Sequence, residues 1–365
     1  MGSVFDRYPD ISRTLYLVDE EFIGRGSDAV ARALQMADVL HGDGFAWETS
    51  CRLDQVAHPD RDTSWHIERA VMWRALVDRG LRRCLFGVES GVDSILRRFN
   101  KETGGGQNAL AIRTLSALGM PTRFTYITFD HLMTFEELKA TYAYQGRTDL
   151  LIRPLSDVPV EEIVSGVHDL EWVEAHGTGR AFHTGISYML VSMECLIGAA
   201  YTKQVVRAGL AGQVRPAMGR QDAEFADWRI GVCSKWAQLW VDRNFALDYT
   251  LKSLEKILDG HPRTQVRDAR VVLKDAAYTV LGGMIAATEQ EPANRLPGRA
   301  PTLDMRIRSL LDEEIEGLRD RMAKTVTDVA RILPSQHAAT LEHEHGRWAR
   351  NGEWRLINAA DPCGT

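Results

Sequence analysis

Cysteine is the first scarcity. The chain of 365 residues has five, at positions 51, 84, 195, 233 and 363, and none lies within four residues of another. That spacing excludes a local cysteine cluster for a metal or an iron–sulfur centre. An odd, scattered set also argues against a disulfide framework and for a reducing, cytoplasmic compartment. Long apolar runs are missing too, so the sequence predicts no membrane-spanning segment. The opening MGSVFDRYPD lacks the basic and apolar regions of a secretory leader, and Asp6 stands where a myristoylation signal wants Ser or Thr. Positive charge is in deficit, 44 Lys and Arg against 50 Asp and Glu, so no nucleic-acid surface is indicated. No internal repeat of solenoid length appears. What is present is ordinary for a globular protein, 44% hydrophobic and 26% charged, with chain enough for a substantial core.

The first 155 residues alternate between two periodicities. RTLYLVD (13–19) predicts a buried strand. SDAVARALQMADVLHG (27–42) predicts a helix, with Ser27 as its N-cap and Gly42 as its stop. FAWETS (45–50) is a second strand. SWHIERAVMWRALVDRG (64–80) is a helix opened by a Ser64–Glu68 capping box and ended by Gly80. CLFGVES (84–90) is a third strand, NALAIRTLSALG (108–119) a helix, and PTRFTYITFD (121–130) a fourth strand. TFEELKATYAYQ (134–145) is a helix with a Thr134–Glu137 capping box, and DLLIRPL (149–155) a candidate fifth strand. Beyond it, 157–177 reads as helical, 185–201 as a last strand running into a helix, and 222–290 as helices with a core stripe of Trp228, Trp236 and Trp240. Residues 289–301 form a Pro/Gly linker and 309–333 a long charged amphipathic helix. Asn351-Gly352 between two Trp-bearing runs predicts a terminal hairpin.

Strands separated by helices imply right-handed βαβ units and a parallel sheet, whose working groups sit beyond the carboxyl ends of the strands. Those ends read Asp19-Glu20-Glu21, then Ser50 and Arg52, then Glu89-Ser90, then Asp130-His131. Each alone is explained by helix capping, but the set is more than caps require. Carboxylates hold an ammonium and ribose hydroxyls, and Arg holds a carboxylate bidentately. A ligand with an amino acid at one end and a nucleoside at the other satisfies all of them. Other features carry less. The glycines at 104–106 lack a following Lys-Ser/Thr and are expected in a mobile loop. His343 and His345 lack a third placed ligand and are expected in an exposed turn. Cys51 beside Arg52 has no local histidine partner for nucleophilic work, and Cys84 and Cys233 read as core.

Four stretches in order resemble the radical S-adenosylmethionine (radical SAM) superfamily, nearest the branch that often carries an N-terminal cobalamin-binding domain. They are LYLVDEEFIG, FAWETSCRLD, LVDRGLRRCLFGVESGVDSILRRFNKETG and GMPTRFTYITFDHLMTFEEL, and SMECLIGAAYTKQVVRAGL is a fainter echo. The resemblance covers 13–145 well and 185–210 weakly. It implies an α/β fold, a partial (βα) barrel binding S-adenosylmethionine across its strand ends. It places Glu20 and Glu21 against the methionine amino group, Arg52 at the methionine carboxylate, Glu89 and Ser90 at the ribose, and the Ile127 backbone at adenine.

The sequence departs from the family at its start. The family binds a 4Fe–4S cluster through C-x3-C-x2-C on the loop after its first strand, and the cluster cleaves S-adenosylmethionine to a radical that abstracts hydrogen from substrate. Here the resemblance begins at the family's second strand, and the first cysteine is Cys51. The implied architecture is therefore a barrel of the radical SAM type with its first strand missing, over 1–210. A helical region (211–290) and a linker, long amphipathic helix and terminal hairpin (291–365) follow. Three accounts compete: a portion of a longer protein, a chain completed by a partner, or a degenerate relative. The good state of the remaining motifs favours the first. The leading expectation is a radical SAM enzyme, or its carboxyl-terminal portion, doing radical tailoring or methyl transfer on a small-molecule or peptide substrate. Cobalamin is an open cofactor, since no D-x-H-x-x-G motif is present. The alternatives are an inactive S-adenosylmethionine- or nucleoside-binding partner subunit, and a cluster-free (β/α)-barrel enzyme using carboxylates for acid–base chemistry.

Overall fold

Alternate burial along Leu81–Glu89, where Leu81, Cys84, Phe86 and Val88 are buried, shows how the central sheet is specified: one face of each strand meets a layer of helices. The computed structural model describes residues 2–8, 11–18, 21–24, 26–294 and 299–356. After helix α1 (Gly2–Arg7) come β1 (Thr14–Tyr16), α2 (Ala29–Gly42), β2 (Ala46–Arg52), α3 (Thr63–Asp78), β3 (Leu81–Glu89), α4 (Asp93–Arg98), α5 (Gly105–Ala117) and β4 (Thr122–Tyr126). The four strands form one parallel sheet in the order β1-β2-β3-β4, as strand–helix alternation requires. Beyond β4 the pairing continues only as isolated parallel bridges, Phe124 with Ile186 and, in the following segment, Phe129 with Ser192. Trp73 of α3 meets Phe86 edge-on, and Phe86, Phe124 and Phe182 continue the aromatic core.

Then follow α6 (Phe135–Gln145), α7 (Val160–Gly166), α8 (Leu170–His176), α9 (Ala200–Arg207), an antiparallel pair β5 (Ala211–Arg215) and β6 (Arg220–Ala223), and four long helices. These are α10 (Trp228–Ile257), α11 (Gly260–Glu289), α12 (Arg299–Ala330) and α13 (Ser335–Arg350). The chain divides into two compact units. The first is Met1–Tyr126 with Ala143–Ser187, and the second is Ile127–Tyr142 with Tyr188–Thr365. The first holds the sheet and the second the long helices. Helix α11 has the length and composition of a membrane span, with mean hydropathy 1.3 over its most apolar stretch, yet it packs against α10 and α12 as a core helix. Trp236 and Trp240 are buried, in keeping with a core stripe, whereas Trp228 is only half-buried, its indole donating to Ala293 O at 3.0 Å.

Several expectations are corrected. The terminal hairpin is absent: EHEHGRWAR belongs to α13, whose Leu341 and Trp348 are buried two turns apart. Asn351 has φ −68, whereas a type I′ hairpin turn needs positive φ. His343 and His345 accordingly lie on a helix rather than in a turn. Residues 149–155 form no strand. The Ile152 amide and carbonyl both bond the Ser116 hydroxyl of α5 (3.0 and 2.7 Å), and the segment's pairing is confined to an isolated antiparallel bridge of Ile152 with Gly177. The glycine run is the start of α5 rather than a mobile loop. The Gly105 amide donates to Asp93 Oδ1 at 2.7 Å, and a Cβ at 105 would lie 2.1 Å from Gly91 O. Helix α3 is capped by Asp62, which accepts from Trp65 N (2.9 Å) and from Ser64 itself (3.0 Å), instead of by Ser64. Asp28 rather than Ser27 is the N-cap of α2, and it makes no side-chain cap bond.

Candidate functional site

The carboxyl end of β3 is bent by its own backbone. Gly87 pairs with Thr125 and Glu89 with Tyr126, so the register slips at Val88, and an extra residue of this kind re-aims the side chain that follows. Glu89 then takes φ +61, and Ser90 N donates to Val88 O at 2.7 Å, closing a three-residue turn around Glu89. Its carboxylate folds back over Gly87, where a Cβ would lie 2.7 Å from Glu89 Oε1. Lys101 Nζ stands 3.6 Å from the same oxygen. The lysine is delivered by the end of α4: Asn100 adopts φ +57, and Lys101 N bonds back to Leu96 O, a left-handed helix stop.

These groups line a cavity of about 700 Å³ beyond the strand ends, together with Tyr16, Glu21, Ser50, Arg52 and Thr125. Glu21 is half-buried and accepts from Ile23 N, Gly24 N and Arg52 N at 3.0–3.2 Å. It thus fastens the loop after β1 to the end of β2, and burial raises its pKa despite these bonds. Arg52 donates through Nε and Nη2 to Asp54 (3.0 and 2.7 Å). Its side chain remains 39% exposed. Tyr16 Oη and Ser50 Oγ are 3.2 Å apart.

Of the residues singled out by sequence, the structure thus brings Glu21, Ser50, Arg52 and Glu89 to one cavity. Glu20 lies outside the described residues. Ser90 does not line the cavity: it is fully buried, and its hydroxyl accepts from Val92 N at 3.1 Å. Ile127 directly follows β4 and is half-buried at the start of the second unit. Asp130 and His131 sit in a buried group of that unit, with Tyr201 donating to Asp130 Oδ1 (3.2 Å) and His131 stacked on Phe225. Gly87 and Lys101 stand in a stretch that carries the resemblance but were given no site role. The glycine two before the strand-end acid and the Asn before the Lys are the local signals for them.

The chemistry of this lining fits a zwitterionic nucleoside: carboxylates for hydroxyls and an ammonium, cations for a carboxylate. It does not fit a 4Fe–4S cluster. Among the described residues no three His, Cys, Asp or Glu side chains are grouped to hold a metal ion. Cys51 and Cys84 are buried in neighbouring strands, and burial together with the adjoining Cys51 thiol pushes the Cys84 thiol up.

No family model matches the chain. The 4'-phospho-dehydrooxetanocin synthase of Priestia megaterium is 35% identical over 272 residues, which is 70% of this chain and 36% of that protein. Among solved structures, the cobalamin-dependent S-adenosylmethionine radical enzyme OxsB with aqua-cobalamin and S-adenosylmethionine bound superimposes with a TM-score of 0.75 at 25% identity. That match covers 96% of this chain and 53% of the enzyme. The apo form of OxsB gives 0.72 at 26% identity, over 94% and 52%. The chain spans about half the length of the solved relative and about a third of the curated one.

Proposed function

Because the chain belongs to the radical SAM superfamily, we propose that its first unit is the part of a radical SAM enzyme that holds S-adenosylmethionine. The observation that carries this reading is the 700 Å³ cavity beyond the strand ends, with Glu89 held at φ +61 over Gly87 and beside Lys101. Glu89 accepts from the ribose hydroxyls, since an ionised carboxylate is a strong acceptor with no donor of its own. Arg52, engaged by Asp54 only through Nε and Nη2, holds the methionine carboxylate. Glu21 places negative charge for the ammonium. Glu20 shares that role by resemblance. When bound and reduced by one electron, S-adenosylmethionine supplies a carbon radical for tailoring or methyl-transfer chemistry on a small-molecule or peptide substrate. The cluster that delivers the electron is assigned to protein outside the described residues, whether a longer chain or a partner. Cobalamin, named with the solved relative, is assigned to no residue of this chain.

Equilibrium dialysis of the chain against radiolabelled S-adenosylmethionine tests the proposal. One equivalent bound, displaced by S-adenosylhomocysteine, is the expected result. Retention no greater than for an unrelated protein contradicts it. In the same preparation, anaerobic reconstitution with iron and sulfide yields no stoichiometric cluster, read from absorbance near the visible charge-transfer bands.

A further inference from the structure

A second cavity, of about 610 Å³, lies in the same unit between the start of α2 and the start of α3. Its lining includes Gly26, Asp54, Arg61, Trp65 and Arg69. Arg69 is 7% exposed, and no carboxylate among the described residues lies within ion-pair distance of it. Its Nε has no hydrogen-bond partner among them, and its Nη1 reaches only the Met72 sulfur at 4.0 Å. The guanidinium rests over the Trp65 ring, 5.1 Å from the centroid, and Arg61 approaches the same ring at 6.0 Å. Burying an unpaired cation is costly, and such groups are normally paired or neutralised. Burial does push the Arg69 pKa down, yet an arginine keeps its charge.

Two further observations point the same way. Helix α2 runs for 14 residues, and its N-cap Asp28 makes no side-chain bond to the first turn; the Ala29 amide is taken by Gly26 O at 3.4 Å, and the helix end offers the positive end of its dipole to an anion. Asp54, on the cavity wall, keeps Oδ1 buried without a partner while Oδ2 takes both bonds from Arg52. The cavity therefore offers an unmatched buried cation and an unmatched buried acceptor. Glu68 and Glu21 act on the Arg69 charge from beyond ion-pair distance, and Glu21 is itself held by three backbone amides. Asp54 is neutralised by Arg52, Glu102 lies 4.0 Å from that same arginine, and Glu68 is exposed at the rim, where solvent screens it.

We propose that this cavity binds a phosphate-type oxyanion carried on a hydroxyl-bearing ligand, with Arg69 as the inner cation, Arg61 as the outer one and Asp54 Oδ1 as acceptor for a hydroxyl. Calorimetric titration of the full chain with ribose 5-phosphate, and separately with inorganic phosphate, tests this. Saturable binding of ribose 5-phosphate at one site is expected, with free phosphate bound about tenfold more weakly because it has no sugar hydroxyl. Arg61→Ala, at an exposed position, weakens ribose 5-phosphate at least fivefold and leaves S-adenosylmethionine binding unchanged. Arg69→Met abolishes ribose 5-phosphate binding, and if that variant does not fold, Arg61→Ala decides. Absence of binding by wild type, or equal binding by wild type and Arg61→Ala, overturns the proposal. Either result leaves the strand-end cavity untouched, since Arg61 and Arg69 do not line it.

Discussion

At φ +61, Glu89 holds a backbone conformation that costs an L-residue about 1–3 kcal/mol. Residues kept in such conformations need surroundings that over-determine them, and these are visible: the slipped register at Val88, the Ser90-to-Val88 bond, and Asn108 donating to Val88 O and Ser90 O at 3.2 and 3.0 Å. Ser90 belongs to this support, through its cap bond to Val92 N. The sequence pattern marked Glu89 and Ser90 together as strand-end polar residues. Only the backbone geometry separates the carboxylate that lines the cavity from the hydroxyl that closes a turn, because a cap and a binding group use the same residue types. Gly87 gives the prediction at this scale. In Gly87→Ala the new Cβ meets a flexible carboxylate end at 2.7 Å, so Glu89 shifts while the fold survives. Thermal melting should change little, by about 1 kcal/mol or less, while affinity for S-adenosylmethionine falls several-fold. A large loss of stability with affinity intact in the folded fraction would count against this placement of Glu89.

Among the elements, those with strong local signals are the ones that sequence located. The Thr134–Glu137 capping box forms in both directions, with Thr134 N donating to Glu137 Oε2 (2.9 Å) and Glu137 N to Thr134 Oγ1 (3.2 Å). Thr134→Ala should cost about 1 kcal/mol, measured by denaturant unfolding of the second unit's transition. Elements decided by distant partners were illegible. Residues 149–155 have a strand's alternation, but Ser116 takes the Ile152 backbone bonds. The last helix has a turn dipeptide near its end, but Trp348 anchors it by donating to Asn244 Oδ1 at 2.8 Å. The same 149–155 segment carries a pH prediction. Burial works against the Asp149 carboxylate, yet bonds from Arg147 and Arg113 outweigh it and bring its pKa down to about 2 from 3.8. A depressed folded pKa means the contribution is present above the unfolded value and is lost as pH falls from about 4 toward 2. Wild-type melting temperature should therefore drop more steeply over that interval than that of Asp149→Asn. Parallel curves would show that the pair contributes nothing to acid stability.

For the molecule as a whole, the parallel sheet and the helical region were legible because hydrophobic period and turn signals repeat over many residues. The division into units was not, since each unit is built from two separate stretches of chain, a pairing that only long-range contacts create. The cluster question also belongs to this scale. Its ligands are not grouped in the described residues, and the chain spans 53% of its solved relative; on the reading proposed above, the cluster is supplied from outside the described residues. The part that can be tested on the chain is the ligand platform. The most direct measurement is the dissociation constant of S-adenosylmethionine by calorimetry for wild type and Glu89→Ala side by side. The account predicts one-site binding that weakens at least tenfold, about 1.4 kcal/mol or more, with circular dichroism unchanged. Equal affinity in the two proteins would contradict the assignment of Glu89 and, with it, of the cavity.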